Sequence, residues 1–296
     1  MKKEAVLHLF EKIEQCTILV IGDIMTDAYA WGHTDRMSPE APVPVLHIRK
    51  TENRAGGAAN VALNLLSLGA QVKLVSLIGD DEAGTQLRAL LHAAGVGTAG
   101  LVASSYRPTT VKTRIMSGTQ QLLRIDHEST SEANEEESAA LWRAFETAIQ
   151  GVDAVIFQDY DKGVLHQGNI PRMMVHCRSL GIPTAIDPKK RNFFSYTSAD
   201  LFKPNLKELG DALGLVLDKE KTEGIDAALQ QLSEKIQPKA ILLTLSEAGV
   251  KYHSETQTGH FPAHLRTIAD VSGAGDTVIA TAGCCLAAGL SLPDLA

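Results

Sequence analysis

"QVKLVSLIGDDEAGTQLRALLHAAG", residues 71–95, holds two patterns that meet at Asp80 and Asp81. The first part is a short apolar run rich in β-branched residues, the kind that forms a strand buried on both faces. The second part has the spacing of a helix and ends on Gly95, a residue suited to a helix C-terminus. The same strand signal recurs in "TILVIGD" (17–23), "AVIFQDY" (154–160), "PTAIDP" (183–188) and "KAILLTL" (239–245). Helical patterns recur over 56–69, where Ala59, Leu63 and Leu66 keep register before Gly69, and over 135–149. This alternation predicts an α/β fold, a doubly wound, mostly parallel open sheet with helices on both faces. Ligands of such sheets sit beyond the carboxyl ends of the strands. Asp23, Asp80, Asp159, Asp187 and residues 244–247 stand at those ends.

Two stretches break the alternation. "PVPVLHIRKTEN" (42–53) and "TTVKTRIMSGTQQLLRIDHE" (109–128) read as extended amphipathic strands, with "SGTQ" (117–120) as a hairpin turn. They predict a small β-sheet lid over the larger sheet. The acidic run from Ser129 to Glu137 leads into the helix that follows.

The 296 residues are 44% apolar and 21% charged, with a net charge of −7. These values describe a globular protein long enough to bury a sizeable core. The acidic balance argues against nucleic acid as a partner and leaves room for a local basic pocket. No run reaches the roughly 18 apolar residues of a membrane span. The opening "MKKEAVLHLFEKIEQ" mixes Glu4, Glu11 and Glu14 with its lysines and reads as an amphipathic surface helix, not a signal peptide. A cytoplasmic protein with no membrane partner is expected. Cys16, Cys177, Cys284 and Cys285 contain no Cys-x-x-Cys pair and read as buried thiols.

Five short motifs carry chemistry, each with a plainer alternative. "DVSGAGDTVIA" (270–280) sets Gly273, Ala274 and Gly275 before Asp276 and then a small-residue apolar run. Backbone N–H groups of such a turn can cradle an anion at the positive end of the next helix. A carboxylate beside that anion suits a base taking a proton from an attacking hydroxyl; an Asp N-cap after a glycine-rich loop accounts for the same residues. In "AGGAANVALN" (55–64), Gly56 and Gly57 permit close backbone approach and Asn60 presents an amide, or the three simply form a tight strand-to-helix turn. "GDIMTDAY" (22–29) places Asp23 and Asp27 in a loop after a buried strand, as acceptors for sugar hydroxyls or as turn residues. In "KPNLKE" (203–208), Asn205 and Glu208 share one side of a helix start, where they could hold water around Mg²⁺ or serve the helix terminus itself. "LTLSEAGV" (243–250), with Thr244, Ser246 and Gly249, either flanks a nucleotide or forms a β-turn. The sequence has no P-loop, no His-Glu-x-x-His and no Gly-x-Ser-x-Gly.

Taken together and in order, these motifs resemble the ribokinase-like (PfkB) family of sugar and nucleoside kinases. Gly56, Gly57 and Asn60 match its "GG…N" motif, Asn205 and Glu208 its Asn-x-x-Glu, and Asp270 with Gly273 to Asp276 its "D-x-x-GAGD". "RMSPEAPVPVL" (36–46), "RAGGAANVALNLLSLGA" (54–70), "QQLLRIDHE" (120–128) and "QDYDKGVL" (158–165) are similar to one branch, the kinase domain of bacterial ADP-heptose biosynthesis enzymes.

The resemblance implies a ribokinase-like domain over residues 1–296, with lid strands at about 42–53 and 105–128. It implies ATP and Mg²⁺ as cofactors, and K⁺ in some members, with Asp270 as the candidate neighbour. Asp276 would be the base, and the amides of Gly273, Ala274 and Gly275 would stabilise the transferring phosphoryl group. Asp27, Gly56, Gly57 and Asn60 would grip the sugar, and Thr244, Ser246 and Gly249 would line the nucleotide. Asn205 and Glu208 would hold hydrated Mg²⁺. The branch acts on the anomeric hydroxyl of D-glycero-D-manno-heptose 7-phosphate. Lys112, Arg114, Arg124, Lys189 and Lys190 are candidate partners for that acceptor's own phosphate, Arg124 and Lys189 among them as site residues. The lid would also support a homodimer. The sequence ends at Ala296, about twenty residues after Asp276, so a C-terminal end short for the family is expected. Another sugar or sugar-phosphate kinase of the family, or a non-catalytic sugar-binding protein on the same scaffold, remains open.

Overall fold

A computed structural model describes residues 3–219, 221–263 and 273–295 of the protein. The chain begins with α1 (Lys3–Ile13), β1 (Thr17–Gly22), β2 (Ile24–Met37), β3 (Pro44–Gly57) and α2 (Ala58–Ser67). Next come β4 (Gln71–Gly79), α3 (Glu82–Ala93), β5 (Gly97–Ser104), β6 (Val111–Ser117), β7 (Gln120–His127) and α4 (Glu135–Ala148). Then follow β8 (Ala154–Gln158), α5 (Ile170–Ser179), β9 (Thr184–Asp187), β10 (Leu201–Phe202), α6 (Leu206–Leu213) and α7 (Thr222–Ile236). The last are β11 (Ala240–Thr244), β12 (Val250–His253), β13 (Thr258–Phe261), α8 (Ala274–Ala287) and α9 (Leu292–Leu295).

Among the described residues, nine strands form one sheet in the order β13-β12-β11-β10-β9-β8-β1-β4-β5. From β11 to β5 all neighbours are parallel, and β12 and β13 add an antiparallel edge that the sequence did not predict. Side-chain alternation along the strands feeds two cores. Leu19 and Ile21 of β1 and Val155 and Phe157 of β8 face one core, with Phe145 of α4, Met173 of α5 and Leu232 of α7. Ile18, Val20 and Ile156 face the other, with Val61 and Leu65 of α2, Leu91 of α3 and Ile279 of α8. All four cysteines are buried, as expected.

The smaller sheet has the order β3-β2-β6-β7 among the described residues. β6 and β7 are the expected hairpin strands, and Gly118 turns between them at φ 59°. One sequence reading is corrected. Within 22–29, read as a loop carrying Asp23 and Asp27, the residues from Ile24 onward instead open the long inner strand β2. Its pairing with β3 and β6 overrides the mixed polarity that hid it. Side chains tie the smaller sheet to the larger. The Asp81 carboxylate caps α3 and also accepts from the Thr109 N–H and hydroxyl, at 2.8 and 2.7 Å. Arg107 and Glu137 form a buried pair at 2.9 Å beside the capping box of α4.

Asp23, the single residue between β1 and β2, is buried and accepts from the N–H groups of Tyr160, Lys162 and Val164 at 2.8, 3.2 and 3.0 Å. It is therefore an anchor for the loop after β8, not a free acceptor for sugar. Asp159 is buried close to it, bonded to Asn192 and Tyr196. Burial first and the Asp159 charge second push Asp23 up to about 7, against the three backbone donors; burial pushes Asp159 up as well. An unfolded aspartate titrates near ~3.9. The folded chain thus holds this proton more tightly, and its contribution to stability is full below about 4, declines toward about 7 and is level above. Urea midpoints should therefore fall between pH 5 and 7, and Asp159→Asn, which removes the second charge, should flatten that slope. A midpoint that rises over this range would contradict the assignment.

Candidate active site

The carboxyl ends of β1, β8, β9 and β10 lie side by side, and the N-terminus of α8 comes down on them. Gly273 is the α8 N-cap at φ 81°, a left-handed conformation that favours glycine. Asp276 is the third helical residue, so it does not cap the helix, and the N-cap alternative is set aside. Its carboxylate turns to neighbouring elements. Oδ2 accepts from Asn60 Nδ2 of α2 at 2.8 Å. Oδ1 accepts from the Tyr160 hydroxyl at 2.7 Å and from Gln158 Nε2 at 3.2 Å. Only 5% of Asp276 is exposed, and burial raises its pKa; the Asn60 and Tyr160 hydrogen bonds oppose this, Asp187 adds to it and Lys203 opposes it.

A second row lies beneath. Gln158 Nε2 also reaches Asp187 Oδ2 at 3.3 Å, and Lys203 Nζ, 3% exposed, pairs with the same oxygen at 3.0 Å. A Cβ built on Gly275 would stand 3.9 Å from Lys203 Nζ, so a buried ammonium lies under the glycine turn. The helix terminus presents backbone N–H groups suited to phosphate, and Lys203, itself paired with Asp187, lies beneath them.

The other sequence-derived residues divide into those the fold gathers here and those it places elsewhere. Gly57, at φ 61°, passes from β3 into α2 with its Cβ position 2.4 Å from the Asp23 carbonyl, so only glycine fits. Gly56 lies under Asp27, where an added Cβ would meet Asp27 Oδ2 at 2.3 Å. Asp27 pairs with Arg114 of β6 at 2.5 Å. Asn60 joins Asp276 directly. Lys189 contacts Glu208 Oε1 at 2.5 Å and lies 5.4 Å from the Tyr160 ring centre, between the Asp276 side and the Glu208 side. Burial works against its ammonium, but Asp187 and Glu208 outweigh that and raise its pKa. Arg124 is on the outer lid strand β7, half exposed and paired with Asp126. Register places it on the face that carries Arg114, not among the Asp276 contacts.

Asn205 and Glu208 form a capping box at the start of α6, each side chain accepting the other's backbone N–H at 2.8 and 2.9 Å. The helix-terminus alternative therefore describes their local geometry. Asn205, Leu206, Leu215, Leu217, Thr244 and Ser246 line a cavity of about 590 Å³. Gly249, at φ 94°, shapes the adjoining turn; a Cβ there would meet the Phe261 carbonyl at 2.0 Å. No cluster of three or more His, Cys, Asp or Glu among the described residues could hold a metal directly. The Glu208 carboxylate is engaged at both oxygens, by Lys189 and by the Asn205 N–H, so it could face a Mg²⁺ only through the ion's own waters. Asp270 lies outside the described residues.

Asp187 stands among the strand-end residues that the sequence points to, whereas Gln158, Tyr160 and Lys203 are site residues that sequence reasoning missed. Tyr160 and Gln158 belong to the "QDYDKGVL" segment and Lys203 opens "KPNLKE", so the signal was their place at strand ends.

Residues 16–296 match the profile of the pfkB family carbohydrate kinases. The chain is 41% identical over 295 residues to the bifunctional protein HldE of Caulobacter vibrioides, covering 99% of this chain and 60% of that protein. It is 43% identical over 279 residues to the HldE protein of Azorhizobium caulinodans, covering 93% and 57%. It thus spans about 60% of the length of the curated relatives it matches. The tetrameric inhibited form of Escherichia coli phosphofructokinase-2 shares the fold at TM-score 0.78 and 17% identity, covering 95% of this chain and 90% of that one. The same enzyme in complex with potassium gives 0.79 at 17%, covering 95% and 88%. Thermotoga maritima ribokinase gives 0.69 at 19%, covering 95% and 89%. This chain belongs to the pfkB family of carbohydrate kinases.

Proposed function

We propose that this pfkB family member is an ATP-dependent sugar-phosphate kinase, and that its acceptor is the anomeric hydroxyl of D-glycero-D-manno-heptose 7-phosphate, giving the 1,7-bisphosphate. The observation that carries the kinase reading is the buried Asp276 carboxylate at the α8 N-terminus, beside Asn60 and the glycine turn. The acceptor assignment rests on the likeness of segments 36–46, 120–128 and 158–165 to the ADP-heptose kinase branch.

In this reading the sugar lies against Gly56, Gly57 and Asp27, with its reacting hydroxyl at Asp276. Asp276 takes the hydroxyl proton as the oxygen attacks. The N–H groups of Ala274 and Gly275, with Lys203 beneath them, stabilise the charge on the moving phosphoryl group. Bound ATP supplies that group, with Mg²⁺ screening its phosphates. Thr244 and Ser246 border the nucleotide, Gly249 shapes its edge, and Asn205 and Glu208 face the hydrated metal. Lys189 stands between the two substrates. The acceptor's own phosphate falls to Lys112, Arg114 and Arg124, whose register puts them on the lid face of Asp27. We include K⁺ near Asp270 and a cytoplasmic location in the proposal; no helix among the described residues is long and apolar enough to cross a membrane. Residues 1–296 are proposed as one kinase unit.

The opposite lid face supports a homodimer. Ile48, Leu123 and Ile125 are 59%, 56% and 51% exposed and alternate away from Asp27 and Arg114. A second copy meeting this face through a two-fold axis would cover it. Phosphofructokinase-2 of Escherichia coli, of like fold, has a tetrameric inhibited form.

Incubation with ATP, Mg²⁺ and a panel of sugars and sugar phosphates, followed by phosphorus NMR, should yield a product from the heptose 7-phosphate. Turnover of fructose phosphate or a nucleoside alone would overturn the acceptor assignment. Asp276→Asn should lower kcat by about 10²–10⁴. Sugar-induced thermal stabilisation with no phosphoryl transfer from any acceptor would favour the non-catalytic alternative. Sedimentation should show a dimer that Ile125→Glu converts to monomer; a wild-type monomer would remove the lid interface.

A further inference from the structure

We infer that Tyr160 is a positioning residue for Asp276, its hydroxyl occupying Oδ1 and leaving Oδ2 as the atom that accepts the proton. This rests on the reading of Asp276 as the base.

A carboxylate offers about two acceptor sites on each oxygen. Both sites of Oδ1 are taken, by the Tyr160 hydroxyl at 2.7 Å and Gln158 Nε2 at 3.2 Å. Among the described residues Oδ2 receives only Asn60 Nδ2, at 2.8 Å, which leaves it one further site. That oxygen is on the glycine-turn side. A Cβ built on Gly273 would stand 4.0 Å from Oδ2 and 2.9 Å from Asn60 Nδ2. The free lone pair therefore lies next to the turn where a phosphoryl group would be cradled.

Tyr160 is itself held from two directions. Its backbone N–H donates to Asp23 Oδ2 at 2.8 Å, and the same carboxylate holds Lys162 and Val164 of the loop. The Lys189 ammonium lies 5.4 Å from the centre of its ring. Burial and then the Asp276 charge push the phenol pKa far above the ordinary value, so Tyr160 remains a donor at every working pH and is not itself an acid in the reaction. Gln158 divides its amide between Asp276 and Asp187 at 3.2 and 3.3 Å, so the shorter Tyr160 contact is the stronger hold on Oδ1.

A hydrogen bond to the ionised carboxylate favours that form and opposes burial. Removing it makes the proton harder to lose. The acidic limb of kcat/KM against pH should therefore move up by about one pH unit in Tyr160→Phe, on the scale of a single charge-assisted hydrogen bond. Above that limb the rate should return to within a few-fold of wild type, and thermal stabilisation by the sugar phosphate should be retained. A structural role alone would lower the rate equally at all pH values and leave the limb in place; that result would overturn the inference. 3-Fluorotyrosine at position 160 provides a variant of nearly unchanged shape. Its more acidic phenol is a stronger donor, and the limb should move down; an unmoved or raised limb would count against Tyr160. Asp276→Asn separates the two claims. If Asp276→Asn stays active the base reading fails, whereas an inactive Asp276→Asn with an unmoved Tyr160→Phe limb removes only the role of Tyr160.

Discussion

Asp276 sits where little water reaches it, and burial on its own drives a carboxylate toward its neutral form. Asn60, Gln158 and Tyr160 act against that, each offering a hydrogen from a different part of the chain. The partners are 216, 118 and 116 residues away in sequence. No local segment can therefore keep this buried carboxylate ionisable. The arrangement exists only when α2, β8 with its following loop, and α8 are packed together, which makes the chemistry of the site a property of the whole sheet.

The doubly wound architecture provides that packing in a particular way. Parallel strands bring their carboxyl ends to one side, so Asp23, Gln158, Asp187 and Lys203, which end or directly follow β1, β8, β9 and β10, stand in a row. α8 must approach this row closely. Its small residues permit this: at Gly283 a Cβ would lie 2.5 Å from the tip of Ile156 in β8. Ile279, Ala280 and Cys284 complete the buried side of the helix. The small-residue composition of α8 thus has a mechanical result, setting the depth at which the helix terminus and Asp276 meet the strand ends.

Much of this was legible in the sequence because it is carried by periodic apolar runs and by glycines. Buried parallel strands such as 17–23 and 154–160 need continuous apolar runs, and those survive as an unbroken signal. Gly57 and Gly273 mark positive-φ turns that other residues resist. β2 was hidden because half of its length belongs to a lid with one polar, aromatic face, so its strand character comes from pairing with β3 and β6. Tyr160 and Lys203 were hidden for another reason. Their roles depend on which strand lies next to which, and a sequence specifies that a strand ends in Lys or Gln without specifying its neighbours. Asn205 illustrates a third case, in which one residue caps a helix together with Glu208 and also lines a cavity, so that a single pattern supports both descriptions.

The lid shows how one constraint links two surfaces. Period two along a strand means that placing Asp27, Tyr29 and Arg114 on one face puts Ala28, Thr113 and Ile125 on the other. The first face is internally satisfied: Tyr29 stacks on Trp31 at 5.0 Å, Arg54 and Arg114 lie over Tyr29, and Arg114 holds Asp27. On the second face Ile48, Leu123 and Ile125 are more than half exposed among the described residues. A one-residue slip would exchange the two sets, moving Asp27 away from Gly56 and turning Ile125 toward the site. The apolar outer face is thus bound by register to the polar inner one. Any partner that covers the outer face also stabilises the pairing that keeps Asp27 over Gly56.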